Sequence, residues 1–502
     1  MEFFVNCNSS TLAPYTTPLD KQKAAHLYRR LGFSASNATI ESVENSNATT
    51  LVNQLVDQAL AAPTLATPTW ADWTNANYPE DDDAARQIRR EQLREIKIAY
   101  GNQMLGNNLR DRMSFFWSNH VVTQLSVYNC NPFLFKYLAC LQRNALGNFK
   151  TLISEVGLTS AMLFYLDGAF NNGNNPNENY ARELYELFTL GDGNGYTEED
   201  IVETAKALTG YVERGEVGCT DVTFRADRFD AGPKTIFGQT GNWDYDDVHD
   251  ILFDNRANEI GQFICKKLYE FFVHPDSDDA SGNAQTIIDG LAATFVSNNF
   301  EIAPVLRQLF ASQHFFDDTA IGVIIKSPFD LYFNFIKEMD FAYTDDLIVN
   351  IFDACEMIGQ EAFEPVDVAG WQRDRQWINT NYMIGRWLTM EVFIDLLYGG
   401  NEEFFRALAM DLVGPANSNT SNPEIVVRAI VDKFTPKGLL TEQDFENAMD
   451  AFKTDDVPEN YYSPDYVDGG LSYWMLAVSM EAPNQVYQLI RYLSRQPEFQ
   501  LK

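Results

Sequence analysis

The residues best suited to acid–base chemistry include a histidine at the end of a predicted helix. Residues 116 to 120 read FWSNH, so Trp117, Asn119 and His120 stand where an amphipathic helix ends. An imidazole beside an amide can serve as a base or a metal ligand. A helix-end histidine can equally hydrogen-bond a backbone carbonyl, so two interpretations of His120 remain. His26, in the stretch AAHLYRR, carries the same two interpretations.

A carboxylate in the stretch ARELYELF is the second candidate for acid–base chemistry. Glu178, Arg182 and Glu186 recur every four residues, which predicts a ladder of ion pairs along one helix face. Glu183 falls near the opposite, apolar face, where it would be partly buried. A partly buried carboxylate is a candidate general acid or base. The alternative is a structural ion pair between Glu183 and an arginine.

These blocks together suggest one polar pocket between helices, although they are far apart in sequence. His26, His120 and Glu183 are the candidate catalytic residues of the pocket. The candidate binding residues near them are Arg30, Trp117, Asn119, Asn179 and Arg182.

Two tryptophans mark a further candidate binding segment. Residues 370 to 379 read GWQRDRQWIN, a predicted loop that holds Trp371 and Trp377 beside several charges. Exposed tryptophan with arginine is typical of binding surfaces. Buried tryptophans that brace neighbouring helices are the alternative.

Familiar metal and cofactor motifs are absent from the sequence. The histidines at 26, 120, 249, 274 and 314 form no HxH, HxxH or HExxH pair, so we expect no local metal site. A metal site built from residues of distant helices, such as His26, His120 and Glu183, would not show as a local histidine pair. The GDGNG stretch at 191–195 lacks the lysine of a phosphate loop. It offers Asp192 and Asn194 to calcium but lacks the glycine at position six and the glutamate at position twelve of a calcium loop, so it predicts a turn between helices. We expect no cofactor.

Helix signals dominate the chain. Asn175, with Pro176 and Glu178, predicts a helix that ends near Gly191, and Thr197 predicts the cap of the next helix, which ends near Gly210. Further helices are predicted from Asp20, over 39–61, from Asp81 through residue 122, over 132–146 and over 150–167. Residues 211–243 are dense in Gly and Thr with short alternations, which predicts a β-hairpin or loop insertion.

The predicted fold is therefore all-α, a large multi-helix bundle with a small insertion at 211–243. Residues 1–20, with two prolines, are predicted to form an extended arm. Residues 21–502 form one helical domain, or two packed subdomains (21–210 and 244–502) joined by the insertion.

The charge of the chain excludes some partners. Lysine and arginine number 37 against 71 acidic residues, for a net charge of −34. Such a surface repels phosphate backbones and anionic lipid, so we expect no nucleic acid binding. No stretch reaches 18 apolar residues, so we expect no membrane insertion.

The cysteines favour a reducing compartment. They stand at 7, 130, 140, 219, 265 and 355, with no CxxC pair, and several lie in apolar runs. We expect reduced thiols and a cytoplasmic protein, because no signal peptide is visible in the sequence as given. A bridge such as Cys130–Cys140 stays open, as does a periplasmic or extracellular location if a leader was removed.

Ordered blocks along the chain resemble a known bacterial family. The stretches HLYRRLGF, RMSFFWSNH, NPNENYARELYELFTLG, YTEEDIVETAKALTGY, KTIFGQTGNW and PEFQL together are similar to the family of domain of unknown function 1800, from about residue 23 to 502. The resemblance implies a mostly helical protein without an established reaction or cofactor. Its members are often exported and encoded beside a family related to phosphatases and sulfatases. Many relatives carry His-Asp where this chain has Phe229-Asp230.

Two functions follow as hypotheses. The first is an accessory or interaction protein of an envelope-associated or secreted system, with the sulfatase/phosphatase-like protein encoded nearby as its partner. The second is a hydrolase that uses the polar pocket around His120 and Glu183.

Overall fold

Helices account for most of the structure, a computed structural model that describes residues 10–106, 109–212, 218–278, 282–453, 459–463 and 473–502. The described residues are mostly α-helical with a small antiparallel β component, which confirms the predicted fold class. The assignment of one domain or two packed subdomains stays a prediction. Among the described residues, no helix combines the length and the apolar character needed to cross a bilayer.

The described residues of the first half of the chain form eleven α-helices. They are α1 (Lys21–Leu31), α2 (Asn37–Val43), α3 (Ala48–Leu60), α4 (Asp82–Gly106), α5 (Leu109–Ser118), α6 (Leu125–Tyr128), α7 (Asn131–Arg143), α8 (Phe149–Gly157), α9 (Ser160–Tyr165), α10 (Asn179–Glu183) and α11 (Glu198–Ala207). A π-helical turn, Leu184–Thr189, continues α10.

In the second half, the part that the structure describes forms eleven more. They are α12 (Tyr245–Asn255), α13 (Ala257–Phe272), α14 (Asn283–Ser297), α15 (Ile302–Phe310), α16 (Pro328–Met339), α17 (Asp345–Met357), α18 (Thr380–Gly400), α19 (Glu403–Val413), α20 (Pro423–Phe434), α21 (Glu442–Lys453) and α22 (Ala482–Leu493). A 3₁₀ turn, Asp374–Ile378, precedes α18.

The insertion between α11 and α12 contains two short strand pairs, as predicted. Strands β1 (Tyr211–Val212) and β2 (Thr223–Phe224) are antiparallel, with Tyr211 opposite Phe224. Strands β3 (Lys234–Ile236) and β4 (Gln239–Gly241) form a hairpin. Part of the predicted insertion, residues 213–217, lies outside the described residues.

Side-chain caps fix several helix starts where the sequence predicts them. Asp20 accepts a hydrogen bond from the amide of Lys23 at the start of α1. Thr197 and Asp200 form a reciprocal capping box at the start of α11. Gly191 follows the π-helical turn with φ +93°, a backbone conformation that suits glycine.

Other predicted boundaries are wrong. The helix over 39–61 is two helices, α2 and α3, and the helix over 150–167 is also divided, into α8 and α9. Asn175 does not cap α10, because its backbone pairs with Asn172 and the helix begins four residues later. There the side chain of Asn177 accepts a hydrogen bond from the amide of Asn179.

The described part of the predicted N-terminal arm, residues 10–20, contains no helix and lies against the segment after α15. The amide of Tyr15 donates to the carbonyl of Ala311 (2.8 Å), and the amide of His314 donates to the carbonyl of Thr11 (3.0 Å). Residues 1–9 lie outside the described residues.

A disulfide between Cys130 and Cys219 contradicts the expectation of reduced thiols throughout. Cys130 immediately precedes α7, and the amide of Cys219 donates to the side chain of Asn75 at 2.9 Å, which fixes its segment nearby. Cys140 cannot be the partner of Cys130, because ten residues of helix separate them by about 15 Å. Cys140, Cys265 and Cys355 are free and buried.

Helix α5 runs through the core, and all ten of its residues are buried. Phe115 packs edge to face on Phe329, with 5.6 Å between the ring centroids. A buried helix must pair its charges. Arg110 therefore binds Asp111 within the helix, and Arg112 reaches Asp330 of α16.

Candidate functional site

A cavity of about 210 Å³ lies where the end of α5 meets α13, the start of α16 and the 3₁₀ turn before α18. One part of its lining is apolar and largely aromatic: Phe115, Phe116, Phe271, Ile324, Ile325 and Trp377. The other part is polar or charged and includes Asn119, His120, Lys267, Glu270, Asp330, Gln360, Gln372, Arg373, Asp374 and Lys502.

His120 lies in this lining as a neutral imidazole. Its Nε2 is 2.9 Å from the carbonyl oxygen of Phe188, which can only accept, so Nε2 carries the hydrogen. Burial, and then the nearby charge of Lys267, hold the pKa of His120 well below its ordinary value. Its Nδ1 is buried and has no hydrogen-bond partner among the described residues. The imidazole therefore keeps an unused acceptor.

The π-helical turn explains why the Phe188 carbonyl is available. The last carbonyls of a helix have no partner within the helix, and Phe188 lies in the last turn before the chain leaves at Leu190. His120 supplies the missing donor. Turns of this kind are often found at functional sites.

Asn119 joins the cavity to the loop that carries Trp371. Its Oδ1 accepts a hydrogen bond from the amide of Trp371 at 2.6 Å. Gly370 makes this approach possible, because a Cβ atom there would lie 2.3 Å from Asn119 Oδ1 and its φ is +98°. Trp371 is buried and stacks on Phe115, and the indole of Trp377 is buried against the cavity. Both predicted tryptophans thus have buried positions, Trp371 before the 3₁₀ turn and Trp377 within it.

Two cations flank the polar side of the cavity. Arg373 lies 3.5 Å from a carboxylate oxygen of Glu270. Lys267 has no carboxylate within ion-pair distance among the described residues, and its Nζ lies 4.8 Å from the ring centre of Phe263. Burial and the charge of Arg373 lower the pKa of Lys267 to about 8. The charge of Glu270, which lines the same cavity, raises this pKa but is outweighed by burial and by Arg373.

The floor of the cavity is a buried ion network centred on Asp330. Its carboxylate binds Arg112 at 2.6 Å and the ammonium of Lys502 at 2.5 Å. Burial alone would raise the pKa of Asp330, but these two cations outweigh it and hold the pKa well below the ordinary value. Arg112 also packs on the ring of Phe271, 4.5 Å from its centre. Asp330 is thereby ionised and fully engaged.

The other predicted residues of α1 and α5 lie outside the cavity lining. Arg30 is buried behind the floor and donates to the carbonyls of Phe272, Val273 and Ala320. His26 is buried elsewhere, with Nε2 3.0 Å from the carbonyl of Phe315. Trp117 donates its indole hydrogen to the carbonyl of Ala145.

Helix α10 and the π-helical turn that continues it lie near the cavity, because Phe188 accepts the hydrogen bond of His120, but none of their residues lines it. Arg182 binds Glu178 (3.3 Å) and Glu186 (3.2 Å), which confirms the predicted ladder. Glu183 is half-buried, and burial followed by the charge of Glu186 raises its pKa. It precedes Phe188, the acceptor for His120, by five residues. Asn179 is exposed and donates to Asp167.

Sequence reasoning missed four charged residues of the lining, namely Lys267, Glu270, Asp330 and Lys502, and it missed Arg112, which is buried and binds Asp330. One signal was available for Asp330, because Ser327 and Pro328 with Asp330 form the capping box of α16. Lys267 is one of two adjacent lysines in an amphipathic helix, and no local pattern distinguishes it from Lys266.

A second, larger cavity of about 640 Å³ lies between α1, α2 and α20. Two of its charged groups have partners: Arg29 Nε donates to Glu338 at 2.7 Å, and Lys433 donates to the carbonyl of Ala35. It contains none of the residues predicted from the sequence. Among the described residues, no three His, Cys, Asp or Glu side chains gather as a metal site would require.

The comparisons with known proteins agree with the resemblance found in the sequence. The model of the family described as "Protein of unknown function (DUF1800)" matches residues 26–501, and the chain belongs to this family. No curated protein and no solved structure matches the chain.

Proposed function

We propose that this member of the DUF1800 family is a binding protein whose cavity beside α5 holds a small organic anion with an apolar or aromatic body. The observation that carries the proposal is the ammonium of Lys267, which faces the cavity without a carboxylate partner among the described residues. A half-buried charge of this kind is stabilised by a ligand of opposite sign.

The size and lining of the cavity support a ligand built around one ring or a short chain. An engineered apolar cavity of about 150 Å³ is large enough for benzene. The present cavity, about 210 Å³, has room for a ring and one small anionic group. Phe116, Phe271 and Trp377 supply aromatic surface for the apolar body.

The charges around the cavity indicate where the anionic group would bind. At the floor, the cations Arg112 and Lys502 are already engaged by the carboxylate of Asp330, so they are less available to an anionic ligand. Arg373 forms an ion pair with Glu270. The side between Lys267 and Arg373 is therefore the favourable place, where Asn119 and Gln372 also line the wall.

Calorimetric titration with benzoate tests this proposal. We expect benzoate to bind and its neutral analogue, benzyl alcohol, to bind at least about tenfold more weakly, because a hydrogen bond to a charged group contributes about 1.5–3 kcal/mol. Lys267→Met keeps the length of the side chain and removes the charge, so it should weaken benzoate by about 10- to 100-fold.

Lys266→Met is the matched control, since Lys266 is the adjacent lysine and pairs with Asp278 at 2.8 Å. It should leave benzoate affinity within about twofold of the unmodified chain. Equal affinity for benzoate and benzyl alcohol, or equal losses in the two lysine variants, would contradict a role for Lys267.

A hydrolase is the second candidate, and one observation favours it. The unused acceptor Nδ1 of His120 lies at the same cavity and could take a proton from water. If so, phenyl acetate should be hydrolysed faster with the chain than without it, and His120→Gln should lower that rate by about 100-fold or more. If phenyl acetate is not hydrolysed, the hydrolase is contradicted and ligand binding remains the proposed function of the cavity.

We also infer an accessory role in an envelope-associated or secreted system. The Cys130–Cys219 disulfide supports it, because such bonds persist in oxidising compartments. The proposed protein partner is the sulfatase/phosphatase-like protein that the resemblance places nearby. Gel filtration of the two purified proteins together should give a complex, and two separately eluting proteins would contradict this partner.

A further inference from the structure

The larger cavity, between α1, α2 and α20, has the size of a ligand site. Its volume of about 640 Å³ lies within the range of roughly 300–1,000 Å³ that is usual for sites of small organic molecules. Among the described residues, its lining and that of the cavity beside α5 have no member in common. A ligand here would therefore be additional to the one proposed above.

Two cations that line this cavity are incompletely paired. The side chain of Arg29, 4% exposed, donates from Nε to Glu338 and from Nη2 to the carbonyl of Lys433, which leaves Nη1 without a partner among the described residues. The ammonium of Lys433 donates to the carbonyl of Ala35 at 3.1 Å and has no carboxylate within ion-pair distance in the described part of the chain. Burial lowers the pKa of Lys433 to about 8, although the charge of Glu338 raises it. An anion would give both cations the missing partner.

The carboxylate of Glu338 does not neutralise the charge around it. Its Oε1 accepts hydrogen bonds from Arg29 and from the hydroxyl of Ser34 (2.8 Å). Burial would raise the pKa of Glu338, but the charges of Arg29, Lys326 and Lys433 outweigh it and lower the pKa. One carboxylate thus lies among three cations, and the inner end of the cavity has a positive excess.

The apolar part of the lining is aliphatic. It includes Ala25, Ile40, Leu412, Val413, Ile425 and Ala429. No aromatic side chain lines this cavity in the described part of the chain, in contrast to the cavity beside α5. Such a surface fits a hydrocarbon chain, which gains free energy when it leaves water.

The outer part of the cavity has a negative excess. Five charged residues of the lining are exposed, namely Asp20, Glu44, Asp432, Lys21 and Lys437. The acids outnumber the lysines, and Lys21 is already paired with Glu41 at 3.1 Å. A second negative charge at the outer end of a ligand would be repelled there. The lining therefore favours a ligand with a single negative charge at its inner end.

We propose that this cavity binds an aliphatic monocarboxylic acid, with its carboxylate between Arg29 and Lys433 and its chain along the aliphatic side. A carboxylate has two oxygens and can accept from Arg29 Nη1 and from the ammonium of Lys433 together. The site goes beyond the proposed function and does not depend on it, because other residues form it.

Calorimetric titration of the full chain with octanoate tests the site. We expect octanoate to bind and its neutral analogue, 1-octanol, to bind at least about tenfold more weakly, because the alcohol offers no charge to the two cations. Suberate has the same number of carbons and a second carboxylate, and it should also bind at least about tenfold more weakly. All three titrations use the unmodified chain, so they do not depend on the folding of a variant.

Two lysine variants locate the carboxylate. Lys433→Met should weaken octanoate by about 10- to 100-fold and leave 1-octanol within about twofold. Lys337→Met is the matched control, since Lys337 also donates to a backbone carbonyl, that of Leu105 at 3.0 Å, but does not line the cavity. It should leave octanoate within about twofold of the unmodified chain. Circular dichroism checks that each variant folds.

Three results would overturn the proposal. The first is equal affinity for octanoate and 1-octanol, or equal losses in Lys433→Met and Lys337→Met. The second is suberate that binds as tightly as octanoate. The third is a loss of octanoate affinity in Lys267→Met as large as that in Lys433→Met, which would place the acid in the cavity beside α5. None of these results depends on whether benzoate binds, so the two proposals can fail separately.

Discussion

Replacing Asp330 with asparagine should lower the free energy of unfolding by about 3–5 kcal/mol, because the change leaves Arg112 and Lys502 buried without their counter-charge. Arg30, buried behind the same floor, adds a third positive charge. Urea denaturation at neutral pH, followed by circular dichroism, measures the difference.

Two controls separate this effect from smaller ones. Asp330 also belongs to the capping box of α16, and Ser327→Ala removes the cap alone, at a cost of about 1 kcal/mol. Asp83→Asn, which removes an exposed partner of Arg86, should cost less than about 0.5 kcal/mol. A loss from Asp330→Asn no larger than that from Ser327→Ala would contradict the ion network as the main source of stability at this site.

The pH dependence of the same variant has a defined sign. The pKa of Asp330 is lower in the folded chain than the value of about 3.9 in an unfolded chain. Its contribution is therefore complete above about pH 4 and is lost as the pH falls below that value. The stabilities of the unmodified chain and Asp330→Asn should approach each other in acid.

Breaking the Cys130–Cys219 disulfide should cost about 4–5 kcal/mol. The bond closes a loop of 89 residues, and the entropy that a cross-link removes from the unfolded chain grows with loop length. Denaturation of the oxidised chain and of the chain treated with a reducing agent measures the change.

The double variant Cys130→Ala with Cys219→Ala is the control. It should match the reduced chain, and a reducing agent should not change it further, because Cys140, Cys265 and Cys355 are already free. If reduction destabilises the double variant as much as the unmodified chain, the effect does not come from this bond.

The helical architecture was predictable because its determinants are local. Asp20 and Thr197 cap α1 and α11 where the sequence places them, and glycine at 191 follows the helix that it was expected to end. Asn175 does not cap the helix because contacts with other segments fix the chain there. The side chain of Asn171 donates a hydrogen bond to the carbonyl of Ala205 and accepts one from the amide of Asn177.

The candidate site was only partly predictable. Asn119, His120 and Trp377 were identified from residue type and line one cavity. Their charged neighbours come from contacts that span the chain; Arg112 and Asp330 are 218 positions apart, and Lys502 is 172 positions from Asp330. No short sequence pattern predicts contacts between residues so far apart in the chain. The disulfide partner of Cys130 could not be predicted for the same reason, because Cys219 is 89 positions away.

The affinity for benzoate as a function of pH tests the central claim most directly. If the ammonium of Lys267, whose pKa is about 8, holds the anion, the affinity should be constant near neutral pH and fall about tenfold for each pH unit above that pKa. Lys267→Met should bind weakly with no such decline. Affinity that stays constant to about pH 10, or declines equally in Lys267→Met, would show that Lys267 does not bind the ligand.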